Sequence, residues 1–370
     1  MQEARRIQTA VGEGKKAGAV KLGDMEILTG PYSRSTSQPL VDRLELSTVE
    51  VQGNLEVRGF NVGQPVPEIK GIPQVEKIRE AIKAIDAKKN RELLARWDGY
   101  GCATYDQLQL MQAVVAARNN FHLVQATVDW IDKVEFRIDN IVAPFTDTLN
   151  VTKADHKKAV EDLNLGEWYV GRHPQVGVEF LDVTEHLWLH SSSITGALLM
   201  LRESYEAVGI VNPRFQEFEL KEQKPRIAQA YGAADPGVKK VISVLNVGYH
   251  WGAFCVDVRT RKCFLFDPMH LPSNITTLKT AVRTVVEETL QLTDQLEYQE
   301  VTGCKQKDSS SCGLWCLVVL ELLLFGADTK NWGDFWSDSL YEAVRYLRMR
   351  YLHKVLRLQG TLTAVEDVNA

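Results

Sequence analysis

The chain has 370 residues, with 43 lysines and arginines against 48 aspartates and glutamates, and a formal net charge of −5. This charge excludes a uniformly basic nucleic-acid-binding protein, so we expect no nucleic-acid partner. A composition of 45% hydrophobic and 25% charged residues is typical of a globular protein, and the length accommodates two domains, or one large domain with an N-terminal extension.

The N-terminal residues are polar and no apolar segment follows them, so the sequence predicts neither a secretory signal nor a membrane span. The cysteines are too few for a disulfide framework, and none forms a Cys-x-x-Cys pair, so we expect no structural zinc and no other metal or cofactor. A reducing intracellular compartment, nuclear or cytoplasmic, fits free thiols. The cysteines are Cys102, Cys255, Cys263, Cys304, Cys312 and Cys316.

The beginning of the chain is polar and predicts a flexible leader over residues 1–65, with a small hairpin around Gly53. A mostly helical extension is expected over residues 66–150. It either stabilises the C-terminal domain, which we prefer, or binds a partner or regulates that domain. Helical spacing of apolar residues predicts three helices here, over residues 74–97, 105–123 and 128–141.

Residues 151–357 predict an α+β or mixed α/β domain, and we favour α+β, because strand patterns are enclosed by helical patterns. A loose tail is expected over residues 358–370. The predicted helices cover residues 153–163, the segment from Thr184 to Leu201, and residues 274–292 and 333–358. The predicted strands cover residues 241–247, 250–258, 262–266 and 296–301.

Cys312 lies between a polar, serine-rich segment and an apolar run that ends at Phe325. The run is too short to cross a membrane but suits a buried helix that begins at the cysteine. Free backbone N–H groups at a helix N-terminus favour the thiolate, which is the nucleophilic form of cysteine. The alternative is an inert core cysteine.

Three polar residues could serve this nucleophile. His250 begins one predicted strand, and Asp267 follows the next strand at the point where Pro268 ends it. If these strands pair, Asp267 can orient His250 as the general base of Cys312. Gln306 precedes the cysteine and could form an oxyanion hole with the Cys312 N–H. Taken singly, each residue is more often structural.

The order and spacing of these residues resemble the ubiquitin-like-protein-specific cysteine proteases, which include SUMO (sentrin) and NEDD8 deconjugating enzymes and are related to the adenovirus protease. His250-Trp251 is followed by Asp267 (267 − 250 = 17 residues on), and Gln306 by Cys312-Gly313 (312 − 306 = 6). The resemblance implies a papain-like or adenain-like fold, with a central mixed sheet flanked by helices. It also implies cleavage after the C-terminal Gly-Gly of a modifier, SUMO first, or NEDD8 or ubiquitin.

The resemblance extends upstream to a Trp-Leu-Asn-Asp-x-x-Ile motif, which here reads Trp188 to Ile194. It implies that Trp188 and Trp251 form a narrow tunnel over the Gly-Gly tail of the substrate. His190-Ser191 replaces the Asn-Asp of the family motif. Because those positions face the substrate, the departure leaves the identity of the modifier open.

Two other functions remain as alternatives. One keeps the fold and changes the chemistry, as an acetyltransferase or a general thiol protease. The other is a non-catalytic module that binds ubiquitin-like proteins. The two tryptophans argue against the first alternative, and the intact Cys312, His250, Asp267 and Gln306 argue against the second.

Overall fold

The computed structural model describes residues 30–61, 64–135, 141–170, 173–184 and 187–368. Spatial contacts group the described residues into two units. The first unit is drawn from residues 1–126 and 160–178, and the second from residues 127–159 and 179–370. The domain limits expected from the sequence stay predictions.

The first unit contains a three-stranded antiparallel sheet in the order β1-β2-β3. The strands of this sheet are neighbours in the order in which they follow one another along the chain. A separate two-stranded hairpin, β4-β5, belongs to the same unit. The strands are β1 (Glu56–Gly59), β2 (Leu93–Trp97), β3 (Gly101–Thr104), β4 (Glu167–Val170) and β5 (His173–Val176). The helices are α1 (Arg34–Arg43), α2 (Val75–Ala87) and α3 (Tyr105–Lys133), whose last residues belong to the second unit.

The predicted helix over residues 74–97 is correct only in its first half. Helix α2 ends at Ala87, and Lys89 adopts a left-handed backbone conformation with φ 51°. The chain then enters β2, whose Leu94 and Trp97 are buried in the sheet. The helical spacing of apolar residues therefore extends beyond α2 into a strand by coincidence. Strand pairing in the tertiary structure decides the conformation of so short an apolar segment.

The predicted hairpin around Gly53 is wrong. Val49 donates its N–H to the Ile72 carbonyl at 2.8 Å, and the strand that follows Gly53, β1, pairs with β2. Within the predicted leader, Ser33 and Thr36 form a reciprocal capping box at the start of α1. Residues 1–29 of that leader lie outside the described residues.

Helix α3 extends past the predicted end at residue 123 and includes Val128 and Ile131 of the third predicted helix. The two patterns are therefore one helix as far as Lys133. Residues 136–140, near the end of the third pattern, lie outside the described residues.

The second unit is built on a five-stranded sheet in the order β10-β9-β8-β7-β6. The outer pairs β6-β7 and β9-β10 are parallel and the central pairs are antiparallel, so the sheet is mixed. This confirms the α+β class with a central mixed sheet. The strands are β6 (Val208–Ile210), β7 (Lys240–Asn246), β8 (Trp251–Asp257), β9 (Lys262–Phe266) and β10 (Glu297–Glu300).

The helices of the second unit lie near the predicted positions, with several differences. A helix over Gln223–Ala228 was not predicted, and a π-helical segment, Val282–Val286, interrupts the helix expected over residues 274–292. The loose tail expected over residues 358–370 is wrong as far as Val368, because the last helix continues to that residue. The helix expected from Thr184 begins only at Ser191, because the Asp182 carboxylate accepts the His190 N–H just before it. The long helix expected over residues 333–358 is interrupted, and its main part begins at Val344. The helices are α4 (Lys153–Glu161), α5 (Ser191–Ser204), α6 (Gln223–Ala228), α7 (Pro272–Ala281), α8 (Glu287–Thr289), α9 (Cys312–Phe325), α10 (Trp332–Phe335) and α11 (Val344–Val368).

Helix α9 is the central helix of this unit and packs against β8. It begins at Cys312 as predicted, and its residues are buried from there to Leu323. A helix that is apolar on all sides needs such an environment. Among the helices that the structure describes, none has both the length and the apolar character of a membrane span.

Candidate active site

The pairing of β8 with β9 brings His250 and Asp267 together. The two strands are antiparallel, with Ala253 opposite Phe266, so the start of β8 and the end of β9 lie at one edge of the sheet. The His250 Nε2 atom lies 2.5 Å from Asp267 Oδ1. The two side chains are buried, and the structure thus joins the pair that the sequence proposed.

A tight turn between β7 and β8 sets the direction of His250. Gly248 and Tyr249 have φ values of 89° and 56°, as a two-residue turn of the primed type requires. The Asn246 Oδ1 atom accepts the N–H groups of both residues, at 3.0 and 3.2 Å. Val247 then donates to the His250 carbonyl at 2.7 Å, which closes the turn directly before the histidine ring.

Asp267 is held as a carboxylate by several donors. Its Oδ2 atom accepts the Leu271 N–H at 2.6 Å and the Asn274 amide at 3.2 Å. Burial raises the pKa of Asp267, but hydrogen bonds from His250, Leu271 and Asn274 outweigh burial and the net pKa is lowered. The carboxylate is therefore charged at neutral pH and can hold the imidazole in one tautomer.

His250 interacts electrostatically with the Cys312 side chain as well as with Asp267. Burial lowers the pKa of His250, but hydrogen bonds to Asp267 and Cys312 outweigh burial and raise the pKa to about 9. Because Nε2 faces Asp267, the other ring nitrogen, Nδ1, is the one available to the sulfur. The arrangement favours an imidazolium next to a sulfur at a helix N-terminus, which is the environment of an activated cysteine.

Gln306 is placed in the same region by its backbone, which donates to the Pro268 carbonyl at 2.8 Å, one residue after Asp267. Its side-chain amide donates to the Asp308 carbonyl at 2.6 Å and to Asp308 Oδ1 at 3.2 Å. Its Oε1 atom is buried and has no hydrogen-bond partner in the described part of the chain. The role of Gln306 as oxyanion donor stays a prediction.

Asp308 is a residue of this loop that the sequence reasoning missed. Its Oδ1 atom accepts the N–H groups of Ser310 and Ser311 at 2.9 and 2.8 Å. These bonds fix the backbone that leads into Cys312. The signal was present in the sequence, because Asp followed by serines is typical of a turn in which the carboxylate accepts downstream N–H groups. Asn274 carried no comparable signal.

The two tryptophans have different environments. Trp251 is buried and donates its indole N–H to the Leu189 carbonyl at 3.0 Å, whereas Trp188 is 47% exposed. Helix α9 approaches this segment closely at Gly313, where an added Cβ would lie 3.2 Å from the Trp251 ring and 3.3 Å from Leu189. The chain thus brings the Trp188 segment, Trp251 and Cys312 into one neighbourhood, and the substrate tunnel stays a prediction.

Among the described residues, the other cysteines form no disulfide and no metal site. All six cysteines are free, and Cys316 donates to the Trp251 carbonyl at 3.3 Å from inside the core. Burial raises the pKa of the Cys316 thiol well above its usual range, so this thiol is unreactive. The described residues contain no group of three side chains that could hold a metal ion.

Residues 212–350 match the family described as the Ulp1 protease family, C-terminal catalytic domain. This part of the chain is similar to the catalytic domain of that family. It includes His250, Trp251, Asp267, Gln306 and Cys312, whereas Trp188 precedes it. The match indicates a cysteine-type peptidase.

Solved structures similar to this chain include SUMO protease Ulp1 with its catalytic cysteine oxidized to a sulfonic acid, at 15% identity over 56% of this chain and 96% of that chain, with a TM-score of 0.45. The C-terminal Ulp1 protease domain in complex with Smt3, the yeast orthologue of SUMO, has 13% identity over 60% and 97% of the two chains and a TM-score of 0.45. The Ulp1-like SUMO protease catalytic domain of Chaetomium thermophilum has 15% identity over 52% and 82%, with a TM-score of 0.41. A search of curated proteins found no match. At these identities and scores the family assignment rests on residues 212–350.

Proposed function

We propose that this protein is a thiol isopeptidase and endopeptidase that cleaves after the C-terminal Gly-Gly of a SUMO-type modifier. The observation that carries the proposal is the pairing of His250 with Asp267 at 2.5 Å, with Cys312 at the start of α9 contributing to the raised pKa of His250, within a segment that matches the Ulp1 family. The substrate choice is supported by the family and by the resemblance of Trp188 and Trp251 to the tunnel residues. A glycine tail suits such a gap, because glycine has no Cβ.

In the proposed reaction the Cys312 thiolate attacks the carbonyl carbon of the terminal glycine. The negative charge moves to the carbonyl oxygen, which the Cys312 N–H and the Gln306 amide would stabilise. The bond to the lysine amine or peptide nitrogen then breaks, and the His250 imidazolium donates a proton to the leaving amine. Water, deprotonated by His250, hydrolyses the acyl-enzyme and releases the modifier with a free carboxylate.

The test is a panel of electrophile probes built on the C-termini of SUMO, NEDD8 and ubiquitin. We expect an adduct with the SUMO probe that is absent in Cys312→Ala and retained in Cys102→Ala, a control at a partly exposed cysteine of the first unit. An adduct with the NEDD8 or the ubiquitin probe alone would identify that protein, instead of SUMO, as the modifier. Binding of a modifier without an adduct, by a folded protein, would contradict the proposed peptidase function and favour a non-catalytic module.

The intracellular location, nuclear or cytoplasmic, is also our proposal. It is supported by the six free cysteines, because free thiols persist in reducing compartments. Secretion of the protein with paired cysteines would contradict it.

A further inference from the structure

Arg348 is a buried cation in helix α11, beside the active site. It is 1% exposed, although an arginine is almost never fully buried unless its donors are satisfied. The acceptors of its guanidinium group among the described residues include two separate segments of the second unit, one near Trp188 and one near Cys312.

One side of the guanidinium holds the segment that leads to Trp188. The Nη1 atom of Arg348 donates to the carbonyls of Val183 at 3.3 Å and Leu187 at 3.1 Å, with a longer contact of 3.5 Å to Thr184. The carbonyls of Val183, Thr184 and Leu187 thus converge on one nitrogen. The Arg348 fork therefore fixes the backbone directly before the exposed tryptophan.

The other side of the guanidinium holds the loop that leads to Cys312. The Nη2 atom of Arg348 donates to the Ser310 carbonyl at 3.3 Å and to Ser311 Oγ at 3.2 Å. Ser311 occupies the N-cap position of α9, yet its hydroxyl makes no capping hydrogen bond to that helix. The Ser311 hydroxyl is thus directed to Arg348, although serine at this position ordinarily caps the helix.

We propose that Arg348 is a positioning residue. It ties the backbone before Trp188, at Leu187, to the loop before Cys312, at Ser310 and Ser311, so that Trp188 and Cys312 keep one relative position. This inference rests on the proposed function for the role of Trp188. A planar guanidinium with five donors in a fixed fork can serve two segments at once, whereas a lysine ammonium is a compact point charge. Arginine is therefore required here for its geometry as well as its charge.

Arg350, two residues further along α11, provides the matched control. It is equally buried, but it donates to the carboxylates of Glu321, at 2.7 Å, and Asp147. Those partners lie in the middle of α9 and in the segment before α4, and none of them belongs to the Cys312 loop. Replacing Arg350 should therefore destabilise the fold without moving the nucleophile.

The experiment measures alkylation of Cys312 by iodoacetamide, followed by mass spectrometry of the Cys312 peptide, in the full chain. We expect Arg348→Lys to slow alkylation of the folded protein at pH 7 by about 10-fold, because a displaced Cys312 would move away from the His250 imidazolium, and a neighbouring cation favours the nucleophilic thiolate. Arg350→Lys should lower the melting temperature and leave the alkylation rate of the folded protein unchanged. Millimolar guanidinium should restore the rate in Arg348→Gly, and methylammonium should not.

Ser311→Ala keeps the result decisive if the arginine variants do not fold, because it removes one Arg348 contact, together with a side-chain hydrogen bond to Asp308, and leaves the buried charge in place. It should slow alkylation several-fold, and an unchanged rate in Ser311→Ala together with Arg348→Lys would overturn the proposal. The alkylation assay needs no modifier, so it is independent of the probe panel. A wild-type protein that alkylates normally but reacts with no probe would overturn the proposed function and leave the Arg348 result standing.

Discussion

The two sides of the candidate active site are built differently. On one side, His250 and Asp267 lie at the ends of paired strands, and each Asp267 oxygen accepts hydrogen bonds. On the other side, Gln306 lies in a loop, with its amide donating to Asp308 and its Oε1 atom buried without a partner among the described residues. The hydrogen bonds between His250, Asp267 and their neighbours are formed in the resting protein, whereas the Gln306 side chain is not yet arranged to stabilise an oxyanion.

The difference teaches which parts of such a site are fixed by the fold. Strand register determines where His250 and Asp267 meet, and sheets resist change because a shift of register would turn every side chain to the other face. The Gln306 backbone is anchored to Pro268, but its side chain follows local loop contacts. We therefore expect the Gln306 amide to leave Asp308 when a substrate oxyanion forms, since both of its donors are in use.

The largest effect should come from the side of His250 and Asp267. We expect Asp267→Asn to lower kcat/KM by about 10⁴-fold, because the amide would hold the imidazole in the wrong tautomer while the shape of the site is retained. The measurement is steady-state cleavage of the modifier that the probe panel identifies. Asn274→Ala, which removes one neutral donor to Asp267 Oδ2, is the control and should cost far less. A loss below tenfold in Asp267→Asn would show that Asp267 does not orient His250 for the reaction.

A smaller effect is expected on the side of Gln306. Gln306→Ala should lower kcat by about 10²–10³-fold, the usual cost of one oxyanion donor, with little change in KM. The melting temperature should hardly fall, because the variant removes an unpaired buried oxygen along with the amide. Asp308→Asn keeps an acceptor for the N–H groups of Ser310 and Ser311 and should stay within about tenfold of the wild type. An unchanged kcat in Gln306→Ala would show that Gln306 is not an oxyanion donor.

The smallest effect is on the pH dependence of stability. The pKa of His250 is raised to about 9 in the folded protein, against about 6.5 in the unfolded chain, so its protonated form is favoured by folding. This stabilisation is fully present below pH of about 6.5 and is lost as the pH rises through about 9. The wild type should therefore exceed His250→Asn in melting temperature by about 2–4 °C more at pH 6 than at pH 10.

Gln306→Ala is the reference for this measurement, because an amide does not titrate and its difference from the wild type should be equal at the two pH values. The lowered pKa of Asp267 has the opposite sign, since its contribution is present above its ordinary range near pH 4 and is lost as the pH falls further. A His250→Asn difference that stays constant from pH 6 to pH 10 would contradict an imidazolium in the resting site.

The sequence predicted the elements whose signal is local and strong. The apolar run after Cys312 could only be a buried helix, and the strand that stops before Asp267-Pro268 was found with its limits, Lys262–Phe266. Local patterns failed where a short apolar segment fits either period, as with β2, whose residues continue the helical spacing of α2. The break before Val344 was missed because packing of Trp336 against Trp315 and Tyr341 accompanies it, and the contact with Trp315 is distant in sequence.

By itself, the sequence determined which residues could do the chemistry, because a cysteine at a helix start and a His, Asp and Gln at fixed spacing are properties of the chain. The tertiary structure decided how they meet: the register of β8 and β9 sets the distance between His250 and Asp267. It also decided what holds them. Arg348 acts through backbone carbonyls of residues far from it in the sequence, and a backbone carbonyl carries no mark in the sequence.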